Sequence, residues 1–297
     1  MIREHLIFRK AVPEDKPAVL AICAQIWEGD DYIPEVWDAW IADPYGQFSV
    51  VELDGKVVGL GKLTRLTPTE WWLEGLRVDP AYQGQGIGRF LHEQGVALAN
   101  RLGKGVLRFA TSSANHSVHR FAADTGFAHI GGYALFKGPA STSPTAFTPL
   151  PEGDLDIASR LLEGSERFQA AQRLFEDRWW TWQTLTRELL SRYAAQGQLL
   201  GWRRRGRRLS GLALVSDYPS EGRLIVHYAD APGDLLSDLA RDLRHLAGER
   251  GLELVDWKVF DRPDTRAALE AAGYENTWEN TLWVFERPIR PGAVDSE

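Results

Sequence analysis

Residues 76–89 read Leu76-Arg77-Val78-Asp79-Pro80-Ala81-Tyr82-Gln83-Gly84-Gln85-Gly86-Ile87-Gly88-Arg89. A strand end runs through a glycine loop into a helix whose apolar stripe is Ile87, Phe90, Leu91, Leu98 and Leu102, closing at Gly103. Three alternating glycines let backbone N–H groups converge without Cβ obstruction, and the first helical turn adds unpaired donors and the positive end of its dipole. The segment is therefore an anion seat that suits a pyrophosphate, with Gln83, Gly84, Gln85, Gly86, Ile87, Gly88 and Arg89 as candidate contacts. A ligand-free tight turn is the competing reading, but glycines at a helix start cost stability that a plain turn would not need to give up. A dinucleotide fold requires Gly-x-Gly-x-x-Gly and an acidic residue about 20 positions on, whereas the spacing here is Gly84-x-Gly86-x-Gly88. A triphosphate loop requires Gly-Lys-Ser or Gly-Lys-Thr, and Arg89 stands after Gly88.

Outward from this loop the pattern is that of a repeat. Val50 to Leu53 and Val57 to Leu60 flank Asp54-Gly55, a hairpin signal, and Leu199 to Arg203 and Leu209 to Val215 flank Gly206 in the same way. Strand Leu73 to Val78 and its glycine-led helix are echoed by strand Leu224 to Tyr228 and the stripe Leu235, Leu236, Leu239, Leu243 and Leu246. Strand Val106 to Ala110, helix Asn115 to Thr125 and Gly126-Phe127 are echoed by strand Leu254 to Phe260, helix Pro263 to Ala272 and Gly273-Tyr274. Between the halves, Gly138-Pro139-Ala140-Ser141-Thr142-Ser143-Pro144 with Pro149 and Pro151 reads as a linker. The expected organisation is an α/β chain of two tandem domains, each a mostly antiparallel sheet flanked by helices: residues 1–140 working, 141–152 linking, 153–297 degenerate.

Length and composition agree. At 297 residues, with 44% hydrophobic and 25% charged residues, the chain fits two ordinary globular domains. No apolar run reaches the roughly 20 residues of a membrane helix and the start lacks a signal core, so a cytoplasmic protein without membrane contact is expected. A lone Cys23 excludes an intramolecular disulfide, and the scattered histidines lead to the expectation of no metal. The net charge is −7, with 14 basic against 16 acidic residues up to residue 140 and 20 against 25 after it, so no nucleic-acid partner is expected. The basic run Arg203 to Arg205 with Arg207 and Arg208 reads as a solvated turn. Monomer and homodimer both remain open.

The segment Gln83-x-x-Gly86-x-Gly88 resembles the Gln/Arg-x-x-Gly-x-Gly/Ala motif of the GCN5-related N-acetyltransferase (GNAT) superfamily, and the surrounding order of elements over residues 6–137 is similar as well. The resemblance implies acetyl-coenzyme A (acetyl-CoA) as co-substrate, its pyrophosphate on this loop. It further implies a strand that splays from its neighbour, so that backbone groups of Leu76, Arg77 and Val78 meet the pantetheine amides, one N–H serving as an oxyanion donor of a kind worth about 3 kcal/mol elsewhere. Asn115 would contact pantetheine or simply cap its helix. In the second half the corresponding loop is Asp230-Ala231-Pro232-Gly233-Asp234, which puts carboxylates and an N–H-less proline where the pyrophosphate would sit. This half resembles the fold alone, as in mycothiol synthase-like tandem members with one working half.

Amine acetylation needs an unprotonated nucleophile and a proton for the leaving thiolate. Glu74 stands where proteins similar to diamine acetyltransferases carry a proposed base, and strand alternation places it on one face with Leu76 and Val78. Glu70 is the fallback. Superfamily members often place a tyrosine acid four residues before the Gly-Phe glycine, and here that position is Ala122. His119 and Tyr133 are the alternatives, with water as the remaining proton source for a thiolate of pKa about 8.5. On the acceptor side, Trp27, Glu28, Asp30, Asp31 and Tyr32, leading into Pro34, Trp37 and Trp40, offer carboxylates among aromatics for a cationic or zwitterionic amine. That run is also similar to histidine N-acetyltransferase-like proteins, which implies a small amine or amino-acid-like acceptor. A protein N-terminus or lysine as acceptor, and a non-catalytic acyl-CoA sensor, are the rival readings.

Overall fold

Asp54 and Gly55 both take positive φ, 50° and 78°, which matches the twist of the two strands they join and closes the first hairpin tightly. The computed structural model describes residues 2–178, 180–203 and 208–292; the expected turn at Arg204–Arg207 and Trp179 lie outside the described residues. The chain divides into two units. Unit 1 holds residues up to Thr111, Asn115–His129 and the segment from Phe285, and unit 2 holds Ser112–Ala114 and Ile130–Val284. The division differs from the expected break at residue 140: residues 130–140 belong to unit 2, and the C-terminal segment belongs to unit 1.

Unit 1 runs β1 (Leu6–Lys10), α1 (Lys16–Cys23), α2 (Ile33–Ala42), β2 (Gln47–Leu53), β3 (Lys56–Thr67), β4 (Glu70–Val78), α3 (Ile87–Leu102), β5 (Val106–Ser112) and α4 (His116–Asp124). The strands lie in sequence order, β1 to β4 antiparallel and β5 parallel to β4. Strand alternation splits the apolar side chains between two faces. Phe48 and Val50 of β2 and Leu60 of β3 pack with Val19, Ile22, Trp37 and Trp40 of α1 and α2, whereas Val51 packs with Ile87 and Leu91 of α3, joined there by Val58, where an extra residue in β3 shifts the alternation.

Unit 2 begins in β6 (Ala128–Pro139) and continues through β7 (Phe147–Pro149), α5 (Leu155–Glu163), α6 (Glu166–Ala170), β8 (Leu174–Arg178), β9 (Thr181–Thr184) and α7 (Arg187–Ala195). It continues with β10 (Leu199–Trp202), β11 (Gly211–Tyr218), β12 (Arg223–Asp230), α8 (Leu236–Glu249), β13 (Leu254–Phe260), α9 (Pro263–Ala271) and the short β14 (Glu275–Asn276), and the first residues of β15 (Leu282–Pro288), up to Val284, belong to it while the rest belong to unit 1. Its sheet is ordered β7-β10-β11-β12-β13-β6, with β12 and β13 parallel. The elements β7, β10, β11, β12, α8, β13 and α9 repeat the order of β1, β2, β3, β4, α3, β5 and α4. The hairpin β8–β9 is an addition without a counterpart in unit 1; within it Trp182 is fully buried while Trp180 is 43% exposed.

The closing strands are exchanged relative to the chain order. β6, which follows α4 in sequence, pairs antiparallel with β13 from Tyr133 to Pro139. In unit 1, Phe285 stacks on Phe109 of β5 with ring centroids 5.2 Å apart. Arg108 donates to Glu286 at 2.6 Å, and Ile289 N–H to Gly105 at 2.8 Å. A strand's apolar alternation defines that it will pair but carries no label for its partner, so this exchange is invisible in local sequence.

Candidate active site in the first unit

The site begins with an irregularity in the β3–β4 ladder. Lys62 faces Glu74, but the next pair is Leu60 with Arg77, so Gly75 and Leu76 together oppose Gly61: a bulge on β4. Gly75 takes φ +65°, and a Cβ there would lie 2.5 Å from the Trp40 ring, which excludes any other residue at no cost. The extra residue shifts the alternation. Glu74 and Arg77 share the α1–α2 face, while Leu76 and Val78 lie towards α3, where a Cβ on Gly88 would meet their side chains at 3.9 and 3.7 Å. The expectation that Glu74 shares a face with Leu76 and Val78 is thereby corrected, because a one-residue bulge inverts every side chain beyond it.

Beyond the bulge the sheet opens. β4 and β5 pair only over Glu70–Trp72 and Val106–Arg108, and the remainder of each strand runs on without the other. The loop after β4 is shaped by Asp79, whose carboxylate accepts the Ala81 N–H at 2.9 Å, and Gln83 Nε2 donates back to the Val78 carbonyl at 3.4 Å. Gly84 (φ 76°) and Gly86 (φ 86°) follow, and a Cβ at either would meet nothing within 4 Å. Gly86 caps α3, and the first helical bond runs from Phe90 N–H to Gly86 at 3.0 Å, leaving Ile87, Gly88 and Arg89 N–H groups without an intrahelical acceptor. Gln85 is exposed beside them. This open, glycine-lined start of a 16-residue helix fits an anionic group. Arg89 is engaged elsewhere, with Glu93 and Asp124, each at 2.8 Å. Asn115 caps α4, accepting the Val118 N–H at 3.4 Å and donating to Thr111 at 3.1 Å.

The acceptor-side residues are arranged differently from expectation. Asp31 is buried and accepts from Arg77 Nε at 2.8 Å and Nη2 at 3.2 Å, so it neutralises Arg77 rather than awaiting a cation. The same guanidinium lies 4.4 Å from the Trp27 ring and 5.7 Å from the Tyr32 ring, a favourable stack for a planar cation. Trp27, Glu28 and Gly29 take φ of 46°, 60° and 91°, three successive left-handed residues. Such backbone is unusual for side chains other than glycine and is retained where the surroundings over-determine it. Glu28 and Asp30 remain exposed, while Trp37 and Trp40 belong to the core against Phe48. Burial pushes the Tyr32 phenol up, with the Glu74 carboxylate adding to that effect. Burial likewise pushes the Cys23 thiol up to about 12, which leaves it unreactive.

Among the acid–base candidates, Glu74 is half-buried and accepts from the Thr64 hydroxyl. Glu70 is buried against Arg108 at 2.6 Å, and Arg108 also binds Glu286 at 2.6 Å, so the fallback base is held in an ion triad. His119 packs its ring against Phe285 and His116 at 5.5 and 5.7 Å. Tyr133 lies in unit 2, buried between Trp182 and Phe260. Two residues with no signal in the sequence join the site. Lys62, 2% exposed, donates to Asp43 and to the Leu63 carbonyl at 2.9 Å. A strand lysine reads as solvent-facing until its cross-strand neighbours are known.

Known proteins resemble this chain in sequence and in fold. A family model described as acetyltransferase (GNAT) family matches residues 16–127. N-alpha-acetyltransferase RimI of Mycobacterium tuberculosis is 30% identical over 112 residues, covering 69% of that protein and 36% of this chain. A histidine N-acetyltransferase of Oreochromis niloticus is 32% identical over 87 residues, 29% of this chain and 26% of that one. The match to RimI thus spans over two thirds of the relative, and that to the histidine enzyme about a quarter. In fold, a GCN5-related N-acetyltransferase of Sphaerobacter thermophilus matches with a TM-score of 0.66 at 16% identity, covering 98% of both chains. With a relative 30% identical over more than two thirds of its length and the family model matching the same region, the chain belongs to the GNAT family of acetyltransferases.

Proposed function

We propose that the chain is an acetyl-CoA-dependent N-acetyltransferase whose acceptor is a small amine or amino-acid-like metabolite, with unit 1 as the catalytic unit. The observation that carries the reading is the join of Gly84 and Gly86, open where a Cβ would stand, to the helix start that follows the splayed end of β4. The thioester of acetyl-CoA supplies an activated acetyl group. Ile87, Gly88 and Arg89 N–H groups bind the pyrophosphate, and Leu76 to Val78 offer backbone polar groups to the pantetheine arm. Glu74 faces the acceptor side and takes the amine proton. No tyrosine stands at Ala122, and the leaving thiol receives its proton from water or from a bound group on the acceptor side. An α-amine, with pKa near 8, asks less of such a base than a lysine near 10.4.

The similarity to histidine N-acetyltransferase supports a free amino acid, and the similarity to RimI favours a second reading in which the acceptor is a peptide N-terminus. Thiol release measured across a panel of free amino acids, polyamines and short peptides separates them. Turnover on free amino acids upholds the first reading, turnover on peptides alone upholds the second, and binding of acetyl-CoA without turnover on any amine would leave a sensor. In the productive assay Glu74→Gln lowers kcat by about 100-fold, within the usual span for a general base, with affinity for acetyl-CoA unchanged.

A further inference from the structure

Lys62 is a buried cation on the acceptor face whose placement the reaction scheme above does not use. It stands directly opposite Glu74 in the β3–β4 register. Directly opposed residues of an antiparallel pair project from the same face with Cβ atoms about 4.5–5.5 Å apart. Thr64, two residues along β3 on that face, is the hydroxyl that donates to Glu74. Lys62 is held from below by a built turn. Asp43 accepts the Tyr45 and Gly46 N–H groups at 2.9 and 3.1 Å through one carboxylate oxygen and Lys62 through the other. A Cβ on Gly46 would lie 2.5 Å from the Lys62 ammonium and 2.2 Å from the Leu63 carbonyl, so glycine is required for the turn to close over it. An ammonium has three donors, and these contacts use two.

We propose that Lys62 is a positioning residue that keeps Glu74 ionised at the pH of catalysis, its buried positive charge acting across the strand pair on the carboxylate that receives the amine proton. The role of Glu74 as base rests on the reading above; the Lys62–Glu74 coupling does not. The charged or titratable groups that face this pair include Arg77 of β4, paired with Asp31 as Lys62 is with Asp43, and Tyr32 of the α1–α2 connection; Asp43, just after α2, and Lys10 of β1 act on Lys62. Burial pulls the Lys62 ammonium below its ordinary value, and the Asp43 and Glu74 carboxylates oppose that pull. An ammonium so enclosed is poorly screened by salt, which makes its field on a neighbour larger than that of a surface lysine.

The test follows the Glu74 side-chain carboxyl by carbon NMR with pH, assigned through its loss in Glu74→Gln. Lys62→Met is expected to raise the Glu74 midpoint by about one pH unit or more, the usual effect of removing an opposite charge at such range, while Lys62→Arg stays near the parent protein. An unchanged midpoint in Lys62→Met overturns the proposal. Where Lys62→Met does not fold, the reciprocal measurement decides, because coupling between two sites is mutual. In Glu74→Gln the Lys62 Nζ midpoint, followed by nitrogen NMR, falls by a similar amount, and an unchanged value overturns the proposal. The acid limb of kcat/KM in Lys62→Met moves with the carboxyl if Glu74 is the base. A carboxyl that moves while the limb stays put leaves the coupling standing and removes Glu74 from the chemistry.

Discussion

In unit 1 the crossing from Val78 to Ile87 passes through residues 79–86, whereas the same crossing in unit 2, from Asp230 to Leu236, has only residues 231–235. The longer crossing has two left-handed glycines with empty space at each Cβ and a helix start without local acceptors. In the shorter one the space is already filled. Asp230, 1% exposed, accepts from Arg167 at 2.9 and 2.7 Å, from Ser165, from Tyr228 at 3.3 Å and from the Ala231 N–H at 2.9 Å. Arg167 also donates to the Ala231 carbonyl. β12 and β13 still diverge after Val226 and Trp257, but the opening holds a cavity of only about 40 Å³ whose wall includes Arg167, Tyr228 and Asp230. The same order of elements thus yields an open helix start in one unit and a self-satisfied polar plug in the other. Architecture supplies the opening between strands, and the loop decides whether a ligand can use it.

The contrast is broken most directly by Gly86→Glu, which brings a side chain and a negative charge into the seat and strains a left-handed position. Calorimetry should show loss of acetyl-CoA binding, while Pro232→Gly leaves one site per chain at unchanged affinity. Two equivalent sites, or sensitivity at Pro232, would contradict the assignment of the seat to unit 1. Arg167→Ala tests the plug. It leaves Asp230 buried without its main partner and should lower stability by about 3–5 kcal/mol in a denaturant melt, with coenzyme affinity unaffected. Replacing both residues by apolar ones of similar volume should recover much of that loss.

A pH titration sharpens the contrast at the helix after each crossing. α3 buries His92, which contacts Thr125 at 2.8 Å and packs against Phe109 and Phe127, and burial lowers its pKa to about 4. Its unfolded pKa is higher, so the unfolded state binds the proton first as pH falls. The stability associated with neutral His92 is complete above pH about 6.5 and is lost towards pH 4, by about 3 kcal/mol at most. α8 instead buries Asp242, which accepts from Trp202 Nε1 and the Ala146 N–H, each at 2.8 Å. Melts of His92→Gln should lose this part of the acid sensitivity of the parent protein, and an identical pH dependence would show that His92 is not responsible. The smallest effect belongs to Gly88→Ala. Its Cβ would meet Val78, Leu76 and Phe121 only at ordinary contact distances, so affinity for acetyl-CoA should change less than about two-fold.

What local sequence carries is visible at Asp54-Gly55, where the dipeptide defines the turn, and at Gly84 and Gly86, where left-handed glycines lead into the start of α3. The stripe Ile87, Leu91, Leu98 likewise defines α3 and its buried face. At Asp31, Glu70 and Glu74 the sequence shows a carboxylate and leaves its partner unstated. Arg77 lies 46 residues from Asp31, and Arg108 lies 38 from Glu70. Whether each acid is free for chemistry therefore depended on contacts that composition and spacing do not encode.

By itself, the sequence determined the types and order of the elements, the repeat and the glycine loop that leads into α3, because propensity, turn chemistry and apolar period act within a few residues. Only the tertiary structure decided that the bulge at Gly75 turns Glu74 and Arg77 to one face, that Lys62 is buried opposite Glu74, and that the closing strands are exchanged. These depend on pairing between distant strands, where a shift of one residue inverts a face and any suitable edge can accept a partner.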